Sequence, residues 1–508
     1  MKKLYLFLFS FLPFFLIAQS PWIFENDFFH AYCLTESYDG GMIVGGVSYN
    51  YGYDGKVIKV DNTGELLWEF TLDPNHYSSP TQLREYPDGS LLIGGITDKY
   101  DEDKDGYLLK LNSCGEQLWF KNIGLSNDPD NIKDIFLDGE FIYLLQVKFP
   151  DPERFTLSKF SSENGDSLWS KSNYIPIGGT PRDLLKCSDG GFLLTGNAWA
   201  PPYYDQESSI IGKRSTLIKT DSLGELEWFD FYNWELDSNN LLQYSYGYSS
   251  VELPDSSFLT LAFDRTDTNN MNHLRPILYK TSYDGEMIWT KFIADTSLTY
   301  QGGQMVALND STIIVATSPA PQDDSYNTHM IVLKMDTLGN ILSSHTDTNE
   351  LFLIRDLAIT SDNKIITTPG STSTGNYHLY VVKLDAETML LDTFLINDTT
   401  NYNYLCSSQI QDHLFLFPDD SIGIDKISFI NISISPNPAK DFVNISLNQL
   451  EIDQINLIDI SGKLINNFSV DNAYAPIELD IHGQSPGIYF LEFINESEII
   501  RSEKLIIL

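Results

Sequence analysis

Apolar residues in this chain come in short runs separated by Asp-Gly, Asn and Ser, and no stretch of the body holds a helical period for long. The runs repeat in a fixed order. Asp39-Gly40-Gly41 opens the apolar run 42–46, and Lys59-Val60-Asp61 then leads through Gly64 to Trp68. Asp88-Gly89-Ser90 opens 91–95 in the same way, and Lys110-Leu111-Asn112 leads through Gly115 to Trp119. Short β-branched and aromatic runs between Gly/Asp turns are the signature of strands. The second copy therefore predicts four strands, at 81–85, 90–97, 107–111 and 117–121, with tight turns at 87–89 and 113–115.

The pattern occurs seven times. Further copies run from Lys159 to Trp169, Lys219 to Trp228 and Lys280 to Trp289, and two without the Trp run from Lys334 to Leu342 and from Lys383 to Leu391. Successive Trp residues are 51, 50, 59 and 61 positions apart. A four-stranded unit of that length cannot cover both faces of its own sheet, so copies must stack, and radial stacking gives a β-propeller. The expected fold is all-β: a seven-bladed propeller, or an eight-bladed one whose last blade combines the remnant at 405–417 with an N-terminal strand. Residues 21–26 resemble the outer strand 117–122 and could supply that strand. Trp68, Trp119, Trp169, Trp228 and Trp289 are the expected packing anchors between blades. The Lys and Asp of the motif are expected to be structural, and its Gly to supply a positive φ.

Charge and cysteine content narrow the function. A formal charge of -38 over 508 residues repels phosphates, which excludes nucleic acid as a partner, and serves solubility. The four cysteines, Cys33, Cys114, Cys187 and Cys406, have no CxxC spacing. Cys33 and Cys406 sit at opposite ends of the array, where a ring-closing bridge is conceivable, but the favoured reading is that both are buried free thiols. Asp101, Asp103 and Asp105 have DxDxDG spacing, a candidate calcium loop, but position twelve is Asn112 in place of Glu. Calcium is the one cofactor that the sequence suggests. Gly483-Gln484-Ser485-Pro486-Gly487 fits G-x-S-x-G, yet a strand follows it where a nucleophile elbow needs a helix. The eight histidines have no metal-ligand spacing. No catalytic residue emerges.

The two ends differ from the body. Lys2-Lys3, an apolar stretch at 4–17 and Ala18-Gln19-Ser20 form a secretory signal peptide over 1–20, too short for a comfortable membrane span. No other apolar stretch is long enough for a transmembrane helix. After a linker at 419–429, residues 430–508 read as a small immunoglobulin-like β-sandwich of short strands joined by Pro-Asn-Pro, Ser-Gly-Lys and Pro-Gly turns. Ser435-Pro436-Asn437-Pro438, Asp459-Ile460-Ser461-Gly462-Lys463-Leu464 and Ser485-Pro486-Gly487-Ile488-Tyr489-Phe490 closely resemble, in order and spacing, the type A C-terminal sorting domain of the Bacteroidetes type IX secretion system. That resemblance implies passage through the periplasm, recognition of the tail by the secretion machinery, and a protein released or held at the outer-membrane surface. The repeats at 21–418 resemble quinoprotein-like and other bacterial surface propellers, which supports the fold alone. The adjacent-cysteine ring of quinone dehydrogenases is missing.

Loop lengths carry the remaining information. Turns between strands one and two and between strands three and four are tight throughout. The length variation lies between strands two and three, or between blades, at 197–214, 232–248, 264–275 and 318–329. These connections emerge on one face of a propeller, where binding function usually resides. Trp199, Tyr203, Tyr204, Trp234, Asp237 and Tyr244 are the candidate ligand-binding residues there. The leading expectation is a secreted or surface-displayed binding or adhesion protein with an extracellular glycan or protein ligand. The alternative is an extracellular polysaccharide-acting enzyme on the same scaffold.

Overall fold

The computed structural model describes residues 23–27, 29–48, 54–61, 65–73, 76–98, 105–123, 131–148, 154–172, 174–175, 178–199, 213–232, 244–265, 274–293, 298–321, 329–347, 352–371, 378–392, 406, 413–415, 433–435, 439–446, 452–459, 463–470, 477–495 and 498–507. They contain strands and turns only, and fall into two compact units, Met1–Ile422 and Gly423–Leu508.

Seven antiparallel sheets make up the described part of the first unit. Their first strands are Phe29–Glu36, Ser78–Glu85, Asn131–Asp138, Gly179–Lys186, Ser245–Glu252, Leu298–Asn309 and Phe352–Ile359. Each first strand packs on the first strand of the next sheet, and the seventh packs on the first, so the ring closes. In sheets one to six, four consecutive strands pair in chain order. Sheet seven differs. Phe352–Ile359, Lys364–Ser371, His378–Tyr380 and Val382–Asp385 are joined at the outer edge by Ile23–Asp27, antiparallel to His378–Tyr380. The N-terminal strand thus completes the seventh sheet, not an eighth. The expected half-blade remnant appears among the described residues as His413–Phe415, which runs parallel to the outer strand of sheet one, Leu66–Leu72.

The recurrent motif can be read residue by residue. The last Gly of the turn between strands three and four has positive φ in five copies: Gly115 (81°), Gly165 (74°), Gly224 (77°), Gly285 (86°) and Gly339 (73°). Each also lies under an aromatic ring of the preceding sheet. A Cβ on Gly165 would stand 2.9 Å from Trp119, on Gly224 2.7 Å from Trp169, on Gly285 2.9 Å from Trp228, and on Gly339 3.5 Å from Trp289. At Gly115 the facing ring is Phe70, which Trp68 stacks upon at 4.2 Å. The Gly and Trp of the motif therefore meet across each sheet boundary, a relation between neighbouring repeats. Indole N–H groups fasten the same contact: Trp119 Nε1 donates to Ser162 O (3.3 Å) and Trp228 Nε1 to Tyr283 O (3.0 Å).

Most of the motif's other polar residues act within their own sheet, although Lys110 Nζ donates to Ser162 O and Lys334 Nζ to Ala386 O of the next sheet (both 2.8 Å). Asp61, Asn112, Asp221 and Asp336 accept the backbone N–H four residues on, at 2.7–2.9 Å, and close the turn. The Lys of strand three reaches the Asp of the first turn: Lys59 pairs with Asp39, Lys219 with Asp189 (2.6 Å) and Lys280 with Asp255 (2.9 Å).

The cysteines pair differently from expectation. Cys114 and Cys406 form the disulfide, with Cα atoms 4.9 Å apart, while Cys33 and Cys187 are buried and free. Cys33 belongs to a first strand, its Sγ 3.8 Å from Gly45 O and from Pro80 O between sheets one and two. Cys114 sits on an outer turn of sheet two, next to the sheet-one edge that His413–Phe415 joins, and this brings Cys406 within reach.

The second unit holds two sheets, one of Ser433–Ser435, Phe442–Ser446 and Ile477–Asp480, the other of Leu464–Ser469, Gln454–Asp459, Gly487–Asn495 and Glu498–Ile507. Val443, Ile445, Ile455, Leu457, Leu479, Leu491, Phe493 and Leu505 form its core. Gly487–Asn495 is a strand, so Ser485 is not on a nucleophile elbow.

Candidate functional site

A β-bulge interrupts the pairing of every first strand with its second, between Ala31/Cys33, Pro80/Gln82, Ile132/Asp134, Pro181/Asp183, Gly247/Ser249, Tyr300/Gly303 and Ile354/Asp356. A bulge inserts an unpaired residue and re-aims its side chains. Here the seven bulges ring the axis. In sheets three, four and seven the bulge carries a basic residue followed by Asp and an apolar residue: Lys133-Asp134-Ile135, Arg182-Asp183-Leu184 and Arg355-Asp356-Leu357.

The three aspartates are interblade fasteners. Asp134 Oδ2 accepts from Leu184 N (3.0 Å), Asp183 Oδ2 from Ser250 N (2.9 Å) and Asp356 Oδ2 from Leu34 N (2.9 Å), each on the next sheet. Asp134 also accepts from its neighbour Ile135 N (2.7 Å) and from Arg84 Nη2 (2.8 Å), and Asp356 from Leu357 N (2.9 Å). Burial raises all three carboxyls above the usual range. Repulsion from Asp134 adds to the rise at Asp183, which lies well above that range. Asp356 is pushed up to about 6, with its backbone hydrogen bonds and Arg84 pulling the other way. At Asp134 the Arg84 guanidinium opposes the effect of burial.

Next to the aspartates the bulge side chains pair as cations on rings. Arg182 lies over Tyr248 of the next sheet at 4.3 Å, and Arg355 over Tyr32 at 5.7 Å. Tyr32 also contacts His30 at 4.9 Å, and burial, then Arg355, lowers the His30 pKa to about 4. From Tyr248 an aromatic row runs along the start of sheet five toward the long connections. Tyr244 immediately precedes the strand Ser245–Glu252, Tyr246 lies within it, and Tyr248 is the extra residue of the bulge between Gly247 and Ser249, where strict alternation is broken. Tyr244 stacks on Tyr246 at 6.4 Å, and Arg265 stands over Tyr244 at 5.3 Å. At the matching edge of sheet four, Lys213 stands over Trp199 at 5.1 Å.

Of the sequence-derived ligand candidates, Trp199 and Tyr244 are thus half-buried beside cations at the bases of long connections, whereas Tyr203, Tyr204, Trp234 and Asp237 lie outside the described residues. In the calcium candidate, Asp101 and Asp103 are likewise outside. Asp105 is buried in a strand, with Asn122 Nδ2 3.4 Å from its Oδ2. Among the described residues no group of three His, Cys, Asp or Glu is placed to hold a metal ion. Of the five Trp anchors, Trp68 is buried and the other four are half-buried against the turn glycines. The bulge residues were missed at the sequence level. The recurring basic-Asp-apolar triplet, whose Asp lies five to seven residues before the positive-φ residue of the first turn, is the signal that marks them.

Residues 433–508 match the family described as the secretion system C-terminal sorting domain. No curated protein matches the chain. Among solved structures, the polysaccharide lyase PL25-Ulvanlyase matches with a TM-score of 0.51 at 8% identity, over 72% of this chain and 96% of that one. The β-propeller domain of the Trilobed protease from Pyrococcus furiosus matches with a TM-score of 0.44 at 11% identity, over 71% and 96%. Quinohemoprotein alcohol dehydrogenase ADHIIG from Pseudomonas putida HK5 matches with a TM-score of 0.43 at 10% identity, over 82% and 71%. Identities this low speak to the fold alone.

A β-propeller body followed by a sorting domain defines the class. The chain is a type IX secretion cargo, exported to the cell surface or released, and its tail is the part the machinery reads.

Proposed function

We propose that the ring is a non-catalytic binding or adhesion module, delivered by its sorting domain and engaging an extracellular ligand on the face of the long connections. The carrying observation is the division of labour at the ring centre. The three axial aspartates each give an oxygen to a backbone N–H of the next sheet, so they hold the ring together. A general base with its lone pairs so engaged is poorly placed to take a proton from substrate. The aromatic and cationic side chains beside them have the character of a recognition surface. On this reading the signal peptide at 1–20 leads the chain to the periplasm, and the tail is removed as the cargo reaches the surface.

The runner-up is a polysaccharide-acting enzyme. What favours it is Asp183, whose raised pKa suits a carboxyl kept protonated as a general acid. Incubating the mature protein, tail included, with a glycan and protein panel separates the two: the binding reading expects saturable retention with every glycan at its original length, and shortened chains overturn it.

A further inference from the structure

We propose that the ligand is an anionic polysaccharide, carrying carboxylate or sulfate groups, held where sheets four and five meet, by Arg182 and Arg265 with the aromatic row Tyr244, Tyr246 and Tyr248. This rests on the binding reading above and names its ligand class.

The argument starts from how this acidic chain distributes its cations. It has 32 Lys and Arg against 70 Asp and Glu, and only eight are Arg: Arg84, Arg154, Arg182, Arg214, Arg265, Arg275, Arg355 and Arg501. The seven in the ring fall on first strands or on the strand ends that flank the connections between strands two and three. Only Arg84 lies toward a tight turn, and it pairs with Asp134. Many of the other cations likewise pair with carboxylates. Lys59, Lys121, Lys171, Lys219, Lys280 and Lys364 all meet carboxylates in ion pairs. By contrast, Arg182, Arg265 and Lys213 have aromatic rings as partners and no carboxylate among the described residues.

Such an arrangement in a chain with a twofold excess of acid leaves local positive charge beside stacking surfaces. An aromatic face takes the apolar side of a sugar ring, and a guanidinium fork matches a carboxylate or sulfate bidentately. Lysine would supply only a point charge. The placement fits a polymer: Tyr244 and Tyr246 stack at 6.4 Å beside Arg265, and Tyr248 at the bulge lies under Arg182, so an extended chain can meet the two ring–cation pairs in succession. Three of the four long connections, 197–214, 232–248 and 264–275, belong to these two sheets. The global charge of -38 does not forbid the contact, because carboxylates farther than the Debye length of about 8 Å at physiological salt are largely screened while adjacent guanidiniums are not.

The test is affinity electrophoresis and titration calorimetry of the full mature chain with polygalacturonate, dextran sulfate and neutral dextran. The expected result is binding to at least one polyanion, weakened by added salt, and no binding to neutral dextran. Arg182→Gln with Arg265→Gln should weaken polyanion binding at least tenfold, while the variant Lys171→Gln, on the outer edge of sheet three, leaves it unchanged. Circular dichroism melts establish that each variant is folded, and single Arg→Lys variants, which keep the charge, should retain part of the affinity if the double variant unfolds. Polyanion binding unaffected by the double variant, or equal binding to neutral dextran, overturns the proposal. Neutral-polymer binding lost on replacing Tyr244 and Tyr246 would leave the binding reading standing with its ligand class wrong, whereas no binding to any glycan or protein of the panel would remove both.

Discussion

Replacing Gly224 with Ala tests the contact that joins one repeat to the next. Two costs add. Gly224 has φ +77°, where an L-residue pays about 1–2 kcal/mol. Its new Cβ would stand 2.7 Å from Cη2 and 2.8 Å from Cζ3 of Trp169, overpacking that typically costs about 1–3 kcal/mol. The sum is about 2–5 kcal/mol. Gly139→Ala isolates the first cost, because Gly139 has φ +58° and nothing within 4 Å of the added methyl. Trp169→Ala removes the ring, and since Trp169 is only half-buried its own cost should be about 2–3 kcal/mol, below that of a fully buried Trp. In the double variant the Gly224→Ala cost should fall back to that of Gly139→Ala, giving a coupling of about 1–3 kcal/mol between the two sites. Urea unfolding followed by circular dichroism measures all four. If Gly224→Ala costs no more than Gly139→Ala, and adds independently to Trp169→Ala, the ring-on-glycine account of the motif is wrong.

The other predictions concern the clasp, the axis and export. Peptide mapping without reductant should link the peptides holding Cys114 and Cys406, and Cys114→Ser should lower stability by about 2–4 kcal/mol; a bridge to Cys33 or Cys187 refutes the assignment. Asp356 holds its proton more tightly folded than unfolded, so its contribution is full below about pH 4 and is lost as pH rises through about 6. Asp356→Asn should therefore gain about 2–3 kcal/mol relative to wild type between pH 4 and 7, and a flat or opposite trend in denaturation midpoints contradicts the buried-carboxyl reading. Deleting 430–508 should leave the protein in the periplasm on cell fractionation, and normal surface yield of the truncated chain would remove the sorting role.

Much of this fold was legible because its determinants are local. Asp-x-x-Gly turns need positive φ and a capping carboxylate, and both leave a fixed spacing, as Asp221-Ser222-Leu223-Gly224 shows. The partner of each turn was not legible, because Gly224 meets a Trp from the preceding repeat and not its own. Ring closure was open for a similar reason. Residues 21–26 looked like an outer strand, but which edge Ile23–Asp27 joins depends on where the seventh sheet ends its own strands. The disulfide hid behind the repeat. Cys33 and Cys406 held analogous positions along the chain, but pairing follows from His413–Phe415 joining the edge of sheet one, with Cys406 at Cys114, which no spacing records. At the site, Trp199 and Tyr244 stood out as aromatics in long connections. Arg182 and Asp183 sit on an ordinary-looking strand, and only the bulge turns them to the axis.

The central claim is that the secreted ring binds an extracellular ligand on its long-connection face without transforming it. Light-scattering size analysis of a retained glycan, before and after prolonged incubation with the mature protein, tests this most directly. The account predicts saturable complex formation that Arg182→Gln with Arg265→Gln weakens at least tenfold, and a glycan whose chain length is unchanged on recovery. Progressive shortening of the chain, stopped by Asp183→Asn in a folded variant, would contradict it and make the axial aspartates catalytic.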